Sequence, residues 1–219
     1  MNRRLIATLL VLVISPFFLQ NQTAQAKSKS EQTIATAPNI SIDTSLYFPS
    51  KLPAPAIMLA HGFGGSKDSV AAQATFFQTK GFVVLTWSAR GFGNSSGEIE
   101  MNSPTAEVAD SRALIDFLAS RPEVIQQAKA DPLVGIAGAS YGGANALLTA
   151  SQDSRIDAVA ADITWNNLQQ ALYPQSVVNS SEIGPFKKVW TGTFFTSAAM
   201  QHPELGECGR FSSAWCQAY

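Results

Sequence analysis

Histidine and cysteine are both scarce. The 219 residues hold two of each, His61 and His202, Cys208 and Cys216. Neither histidine has a second plausible ligand near it, so no metal is expected. Gly62-Phe-Gly-Gly-Ser-Lys67 lacks the P-loop spacing, and no cofactor is expected. Basic residues are not in excess: 15 Lys and Arg stand against 16 Asp and Glu, which argues against nucleic acid as a partner. Charged residues make up only 14%, as fits a domain with much buried sheet. No apolar run reaches the ~20 residues of a spanning helix. What is present, 46% hydrophobic residues, suffices for one domain with a real core.

The longest apolar run lies at the N-terminus. Met1-Asn-Arg-Arg4 is a short basic region, Leu5 to Leu19 is apolar but broken by Pro16, and Gln20 to Ala26 ends in Ala24-Gln-Ala26. This order reads as a secretory signal peptide, residues 1–26, cut before Lys27. The chain is therefore expected to be exported, secreted or periplasmic, without a stable membrane anchor. An uncleaved anchor is the alternative. In an oxidising compartment Cys208 and Cys216 can form a disulfide; two free thiols are the other reading.

The most informative stretch is Val134-Gly-Ile-Ala-Gly-Ala-Ser-Tyr-Gly-Gly-Ala144. It opens as a buried strand, passes through Gly138-Ala-Ser140-Tyr-Gly142, and continues as a helix start. Strand, sharp turn and helix are the context of a nucleophile elbow. Ser140 would sit at the tip of a strained turn. The strand and helix backbones would nearly touch at Gly138 and Gly142, where only a hydrogen fits. A chance G-x-S-x-G occurs in roughly one chain in fifteen of this length, so the flanking pattern matters as much as the motif.

Taken in order, Lys27 to about residue 39 reads as a flexible lead-in, rich in Ser, Thr, Lys and Gln. Ile40 to Pro49 alternates as a half-buried, antiparallel strand. Ala56–Ala60 is a buried strand that ends in His61-Gly-Phe-Gly-Gly-Ser66. A helix follows to Lys80, capped by Asp68 or Ser69. Phe82 to Ser88 is the next strand, and residues 89–97 form a Gly-rich loop. Pro104 to Ser120 is an amphipathic helix with Val108, Leu114, Ile115 and Leu118 inward; Arg121 to Asp131 is a polar connection. The Ser140 strand and helix come next, then a strand over 156–163. Beyond Thr164, a short helix is expected before Pro174, a polar loop over 175–185 and a helix over 186–200. Alternating strands and helices predict an α/β fold with a mostly parallel sheet and flanking helices. Three Gly-rich loops, 61–66, 89–97 and 138–143, then converge at the carboxyl edge, where such sheets bind ligands.

Acyl transfer needs a nucleophile, a proton acceptor and donors for the oxyanion. Ser140 is the candidate nucleophile. The backbone N–H groups of Phe63 and Tyr141 are the candidate oxyanion hole, the second at a helix N-terminus. Gly62 and Gly64 let the first loop approach substrate. His61 is expected to pin that loop through its side chain rather than act as base. His202 and Asp162 are the remaining candidates for base and acid, and neither is compelling. The base is therefore not legible.

With these residues on the page, the chain resembles the α/β-hydrolase fold, and within it the X-prolyl dipeptidyl-peptidase and cocaine-esterase-like serine hydrolases. His61-Gly-Phe-Gly-Gly-Ser-Lys67, Arg90-Gly-Phe-Gly-Asn-Ser-Ser-Gly97, Gly138-Ala-Ser-Tyr-Gly-Gly143, Thr164-Trp-Asn-Asn-Leu168 and Tyr173-Pro174 carry the resemblance. Family members carry Asp where this chain has Ser88. The resemblance implies that residues 40–164 are the N-terminal part of the core and 165–219 the start of a helical cap. Acid and base would then lie beyond Tyr219, leaving the fold incomplete at the C-terminus. A missing C-terminal half or an oligomer partner would cover the last strand's open edge. The expected activity is hydrolysis of small ester or peptide substrates, X-prolyl dipeptidyl bonds among them. A lipase- or cutinase-like esterase and a catalytically inactive binding module are the alternatives.

Overall fold

A computed structural model of the chain describes residues 28–165, 167–173 and 187–218. The signal-peptide segment and the polar loop expected over 175–185 lie outside them. One six-stranded sheet forms the centre, ordered β1-β2-β4-β3-β7-β8. Its strands are β1 (Ser28–Ala37), β2 (Ile40–Phe48), β3 (Ala56–Ala60), β4 (Val83–Trp87), β7 (Val134–Ala139) and β8 (Ile156–Asp162). β1, β2 and β4 pair antiparallel, whereas β4, β3, β7 and β8 run parallel. Two short strands, β5 (Gln126–Ala128) and β6 (Asp131–Pro132), make a separate hairpin at the end of the polar connection. Ala130 turns it with φ 58°.

The helices follow from their patterns. α1 (Ala71–Thr79) is preceded by a 3-10 turn, Lys67–Val70, whose cap is Ser66, not Asp68 or Ser69. Ser66 and Ser69 exchange side-chain-to-backbone bonds as a capping box. α2 (Glu107–Ala119) buries Val108, Leu114, Ile115 and Leu118, spaced as one helical face. Each such side chain contributes roughly 1.5–3 kcal/mol on burial. Pro122 prevents the helix from continuing. α3 (Tyr141–Gln152) lies beside α2 against the same sheet face, where Met58, Leu85, Val134, Ile136 and Ala146 share one core.

Residues 28–37, expected as a flexible lead-in, form an edge strand. Composition misled there. Thr33, Ile34 and Thr36 carry enough β-forming character, and Asn39 at φ 61° makes the tight turn that returns the chain along β2.

At the opposite edge no strand among the described residues pairs with the outer side of β8. Ala158, Ala160 and Ala161 are exposed, Val159 is 40% exposed, and the following Ile163 is 78% exposed. On the α1 face a trough of about 490 Å³, lined by Ile57, Phe77, Phe82, Ala137, Ala158 and Ala160, runs along the sheet to this edge.

After β8 come α4 (Leu168–Leu172), α5 (Lys188–Gln201), a 3-10 segment Pro203–Cys208 and α6 (Ser213–Ala218). They sit above the carboxyl edge. Phe194, Phe195, Ala198 and Phe211 pack there with Phe92, Ile99 and Tyr141 as a second core. Cys208 and Cys216 are joined in a disulfide, Cα to Cα 5.6 Å.

Candidate active site

β7 ends at Ala139 and α3 begins at Tyr141, so Ser140 alone makes the turn between them. Its φ is 54° and ψ −120°. A non-glycine residue held this way costs about 1–3 kcal/mol and persists only when its surroundings enforce it. Here the Ser140 N–H donates to the Asp162 carbonyl at 3.0 Å. The Thr164 hydroxyl donates to the Ser140 carbonyl at 2.5 Å, and the Ala144 N–H reaches the same oxygen at 3.0 Å.

Below the turn, strand and helix backbones are in contact. A Cβ on Gly138 would lie 2.5 Å from the Gly142 carbonyl carbon, and one on Gly142 would lie 2.4 Å from the Ala60 oxygen. Ser140 borders a cavity of about 160 Å³ walled by Ile163, Trp165, Leu168, Trp190 and Phe194, beneath α4 and α5.

The loop after β3 stands beside this turn, because Ala60 of β3 registers with Gly138 of β7. A Cβ on Gly62 would meet the Ala139 oxygen at 3.9 Å, which places the loop over the end of β7. Gly64 has φ 80°, and its carbonyl accepts from the Gln201 side chain at 3.0 Å. The Phe63 ring packs edge-on to Tyr141 at 5.5 Å and to Phe92 at 5.1 Å. As the first residue of α3, Tyr141 has no intrahelical acceptor for its N–H. Phe63 and Tyr141 thus follow adjacent strand ends.

His61 is buried and turned into the loop. The Ala89 N–H donates to Nε2 at 2.9 Å, so the proton sits on Nδ1, which donates to the Gly62 carbonyl at 2.7 Å. Burial lowers its pKa to about 4, leaving it neutral at physiological pH. Both ring nitrogens are occupied by backbone, so this imidazole has no free site for a serine proton. His202 lies at the end of α5, its Nδ1 3.0 Å from Glu204 Oε1. Asp162 meets Ser140 through its main-chain carbonyl. Among the described residues no imidazole bonds to the Ser140 hydroxyl.

The loop 89–97 buttresses the site. Arg90 grips Asp110 of α2 with two bonds, at 2.6 and 2.8 Å. The Ser95 hydroxyl donates to the Ser88 carbonyl and accepts from the Asp43 N–H, while Ser96 accepts from the Ser41 N–H. Ser88 itself is buried, its hydroxyl accepting the Lys67 N–H at 3.1 Å. Phe92 from this loop faces His61, Phe63 and Tyr141.

A buried polar network beneath the elbow has no counterpart in the motif reading. The Tyr141 hydroxyl donates to Glu107 at 3.1 Å, and Glu107 also accepts the N–H groups of Glu100 and Ser103. Asn102 donates to the Tyr141 carbonyl at 2.9 Å, Asn145 donates to Asn102, and the Ser111 hydroxyl donates to Asn145. Burial raises the Glu107 carboxyl above its ordinary range, and burial followed by the nearby Glu107 charge raises the Tyr141 phenol. A sequence signal existed: Glu107 and Ser111 are polar residues on the inward face of α2.

A family model described as X-Pro dipeptidyl-peptidase (S15 family) matches residues 39–213. The chain belongs to this family. The uncharacterized protein YcjY of Escherichia coli is 30% identical over 191 residues, covering 84% of this chain and 56% of that protein. Thiohydrolase aneE of Aspergillus aculeatus is 31% identical over 134 residues, covering 60% of this chain and 40% of that one. Among solved structures, hypothetical protein PA2218 from Pseudomonas aeruginosa aligns with TM-score 0.59 at 23% identity, over 84% of this chain and 56% of that chain. The α/β hydrolase GrgF from Penicillium sp. sh18 aligns with TM-score 0.57 at 20% identity, over 84% and 68%. At these identities the structures establish the fold, which is that of the α/β hydrolases. The chain spans about half the length, or less, of the curated relatives it matches, 37% to 56% of those proteins.

Proposed function

We propose that the chain is the nucleophile-bearing part of an exported serine hydrolase acting on small ester or peptide bonds, X-prolyl dipeptidyl bonds included. Ser140 attacks the carbonyl, and the Phe63 and Tyr141 N–H groups hold the resulting oxyanion. His61, Gly62, Gly64, Gly138 and Gly142 hold the two loops in place. Acid and base come from polypeptide that pairs along β8, either a continuation of this chain or a partner. The observation that carries the reading is Ser140 at φ 54° on a one-residue strand-to-helix turn, bordering a cavity at the carboxyl edge. Membership of a peptidase family, and likeness to a protein named thiohydrolase, support a hydrolytic reaction.

A fluorophosphonate probe tests this. Residues 28–218 alone are expected to label slowly, because an unactivated serine retains only residual reactivity. Adding the C-terminal portion of a family member should raise the rate, and Ser140→Ala should abolish it. Labelling unchanged by Ser140→Ala would sink the assignment. N-terminal sequencing of protein recovered outside the cytoplasm should begin at Lys27. A second reading, a hydrolase-like binding module without activity, is favoured by the lack of an imidazole on Ser140 among the described residues. It predicts no labelling under either condition.

A further inference from the structure

The turn that ends β8 grips Ser140 from both sides of its α-carbon. The Asp162 carbonyl accepts the Ser140 N–H at 3.0 Å. Two residues later the Thr164 hydroxyl donates to the Ser140 carbonyl at 2.5 Å. These two groups belong to the peptide planes before and after the serine. Fixing the first plane fixes φ and fixing the second fixes ψ, so together they set the direction of the Cα–Cβ bond. Only χ1 is then left to aim the hydroxyl.

Between the two grips stands Ile163, at φ 39°. A β-branched residue in the left-handed region is an outlier. Its side chain is 78% exposed, so its own burial does not offset the strain. The turn also sits hard on α3: a Cβ on Gly143 would lie 2.9 Å from the Thr164 Cβ and 3.0 Å from the Asp162 oxygen. Two strained residues, Ser140 and Ile163, thus face each other across a pair of hydrogen bonds with no room to relax.

We propose that Asp162-Ile163-Thr164 is a clamp that aims the Ser140 hydroxyl, with Thr164 as a positioning residue for the nucleophile. The functional part rests on the reading of Ser140 given above. The clamp itself does not. Thr164 is suited to testing because its removal leaves no buried group unsatisfied: the Ser140 carbonyl keeps the Ala144 N–H. Thr164→Val preserves shape and deletes the donor. Thr164→Ser keeps the donor.

Two measurements separate the possibilities. In hydrogen exchange, Thr164→Val should speed exchange at the Ser140 amide, which is bonded to Asp162, about tenfold while the thermal midpoint stays within a few degrees, as expected for one lost bond. Thr164→Ser should exchange as wild type. In fluorophosphonate labelling, Thr164→Val should react about tenfold more slowly at equal folded fraction, since small misplacement of a nucleophile is costly, and Thr164→Ser should restore the rate. Wild-type exchange at the Ser140 amide in Thr164→Val would overturn the clamp, whatever the labelling does. Labelling that falls only as far as the folded fraction falls would overturn the positioning role. If wild type takes no label even with the added C-terminal portion while exchange changes as expected, the hydrolase reading fails and the clamp stands.

Discussion

Below Ser140, three pieces of backbone come within contact distance: the ends of β3 and β7 and the first turn of α3. The approach leaves no volume for a methyl group at Gly138 or Gly142. Gly142→Ala would drive its Cβ to 2.4 Å from the Ala60 oxygen, and that atom belongs to the central strand and has nowhere to go. The expected cost is about 3 kcal/mol, the upper end for overpacking, read as a lower urea midpoint. Ile163 invites the opposite change. Ile163→Asn places a residue tolerant of the left-handed region at φ 39° and gives up little burial, so stability should rise by about 1 kcal/mol. His61 makes stability depend on pH. Unfolded, its imidazole titrates near 6.5; folded, burial lowers that to about 4. Between those values the unfolded chain binds a proton that the folded chain does not. The contribution is therefore complete above pH 6.5 and lost as pH falls towards 4, up to roughly 3 kcal/mol. Glu107, raised by burial, acts in the other direction: its contribution is complete below its unfolded pKa and is lost as pH rises through its folded one. Urea midpoints of wild type and His61→Asn at pH 7 and pH 4.5 isolate the histidine. The gap between the two proteins should shrink at the lower pH, and a constant gap would mean that His61 titrates normally.

At the scale of elements, the loop after β3 owes its position to one buried cation. Lys67 reaches Asp43 of β2 at 2.7 Å and Glu31 of β1 at 2.8 Å. Burial alone would lower its pKa, but the two carboxylates outweigh burial and raise it. Lys67→Met strands the Asp43 carboxylate, and should cost about 3 kcal/mol in a thermal or urea melt. Adding Asp43→Asn should return part of it, which a simple packing loss would not. Neither partner announces itself in sequence, because Glu31, Asp43 and Lys67 are scattered and each is common on a surface. The same holds for Asn102 and Asn145, which meet only once α2 and α3 lie side by side. Strands β3, β4 and β7 were legible as mostly apolar runs at largely buried positions, and β8 from its apolar residues Ala158 to Ala161 although most of it is exposed. α2 and α3 were legible from periodicity and small-residue patterning, and the elbow from Gly138 and Gly142. β1 was not: its Ser, Thr, Lys and Gln face solvent at a sheet edge, where polarity is compatible with a strand. The Arg90 loop shares the Gly-rich character of the others, yet its polar side chains are directed to Asp110 and β2 rather than to Ser140. Glycine content reports tight turns without reporting what they face.

At the scale of the whole molecule, the sheet of the described residues is finished on one side and open on the other. At the β2 side, β1 adds a polar antiparallel strand, a common way to end a sheet without inviting another chain. At the β8 side the last strand is parallel, seven residues long, rich in alanine and valine, and exposed on nearly every residue. It carries no proline or lysine to discourage pairing, and the apolar trough between Phe77 and Ala160 opens onto it. Such an edge pairs with whatever strand is offered. On the proposed reading that strand belongs to the polypeptide that brings the acid and base. In residues 28–218 alone it would be another copy, and β8 against β8 closes as a two-fold pair because the β1 edge is finished. Light scattering at rising protein concentration should therefore show conversion of monomer to dimer. Val159→Lys puts a charge in the middle of the edge, 40% exposed and away from the buried core clusters, so the thermal midpoint should hardly move. If β8 is the seam, the variant stays monomeric at concentrations where the parent scatters. It should also lose the labelling gained from an added C-terminal portion, because both partners need the same hydrogen-bonding row. Equal scattering from parent and variant would move the seam elsewhere, with the exposed Trp190 and Met200 of α5 the next surface to alter.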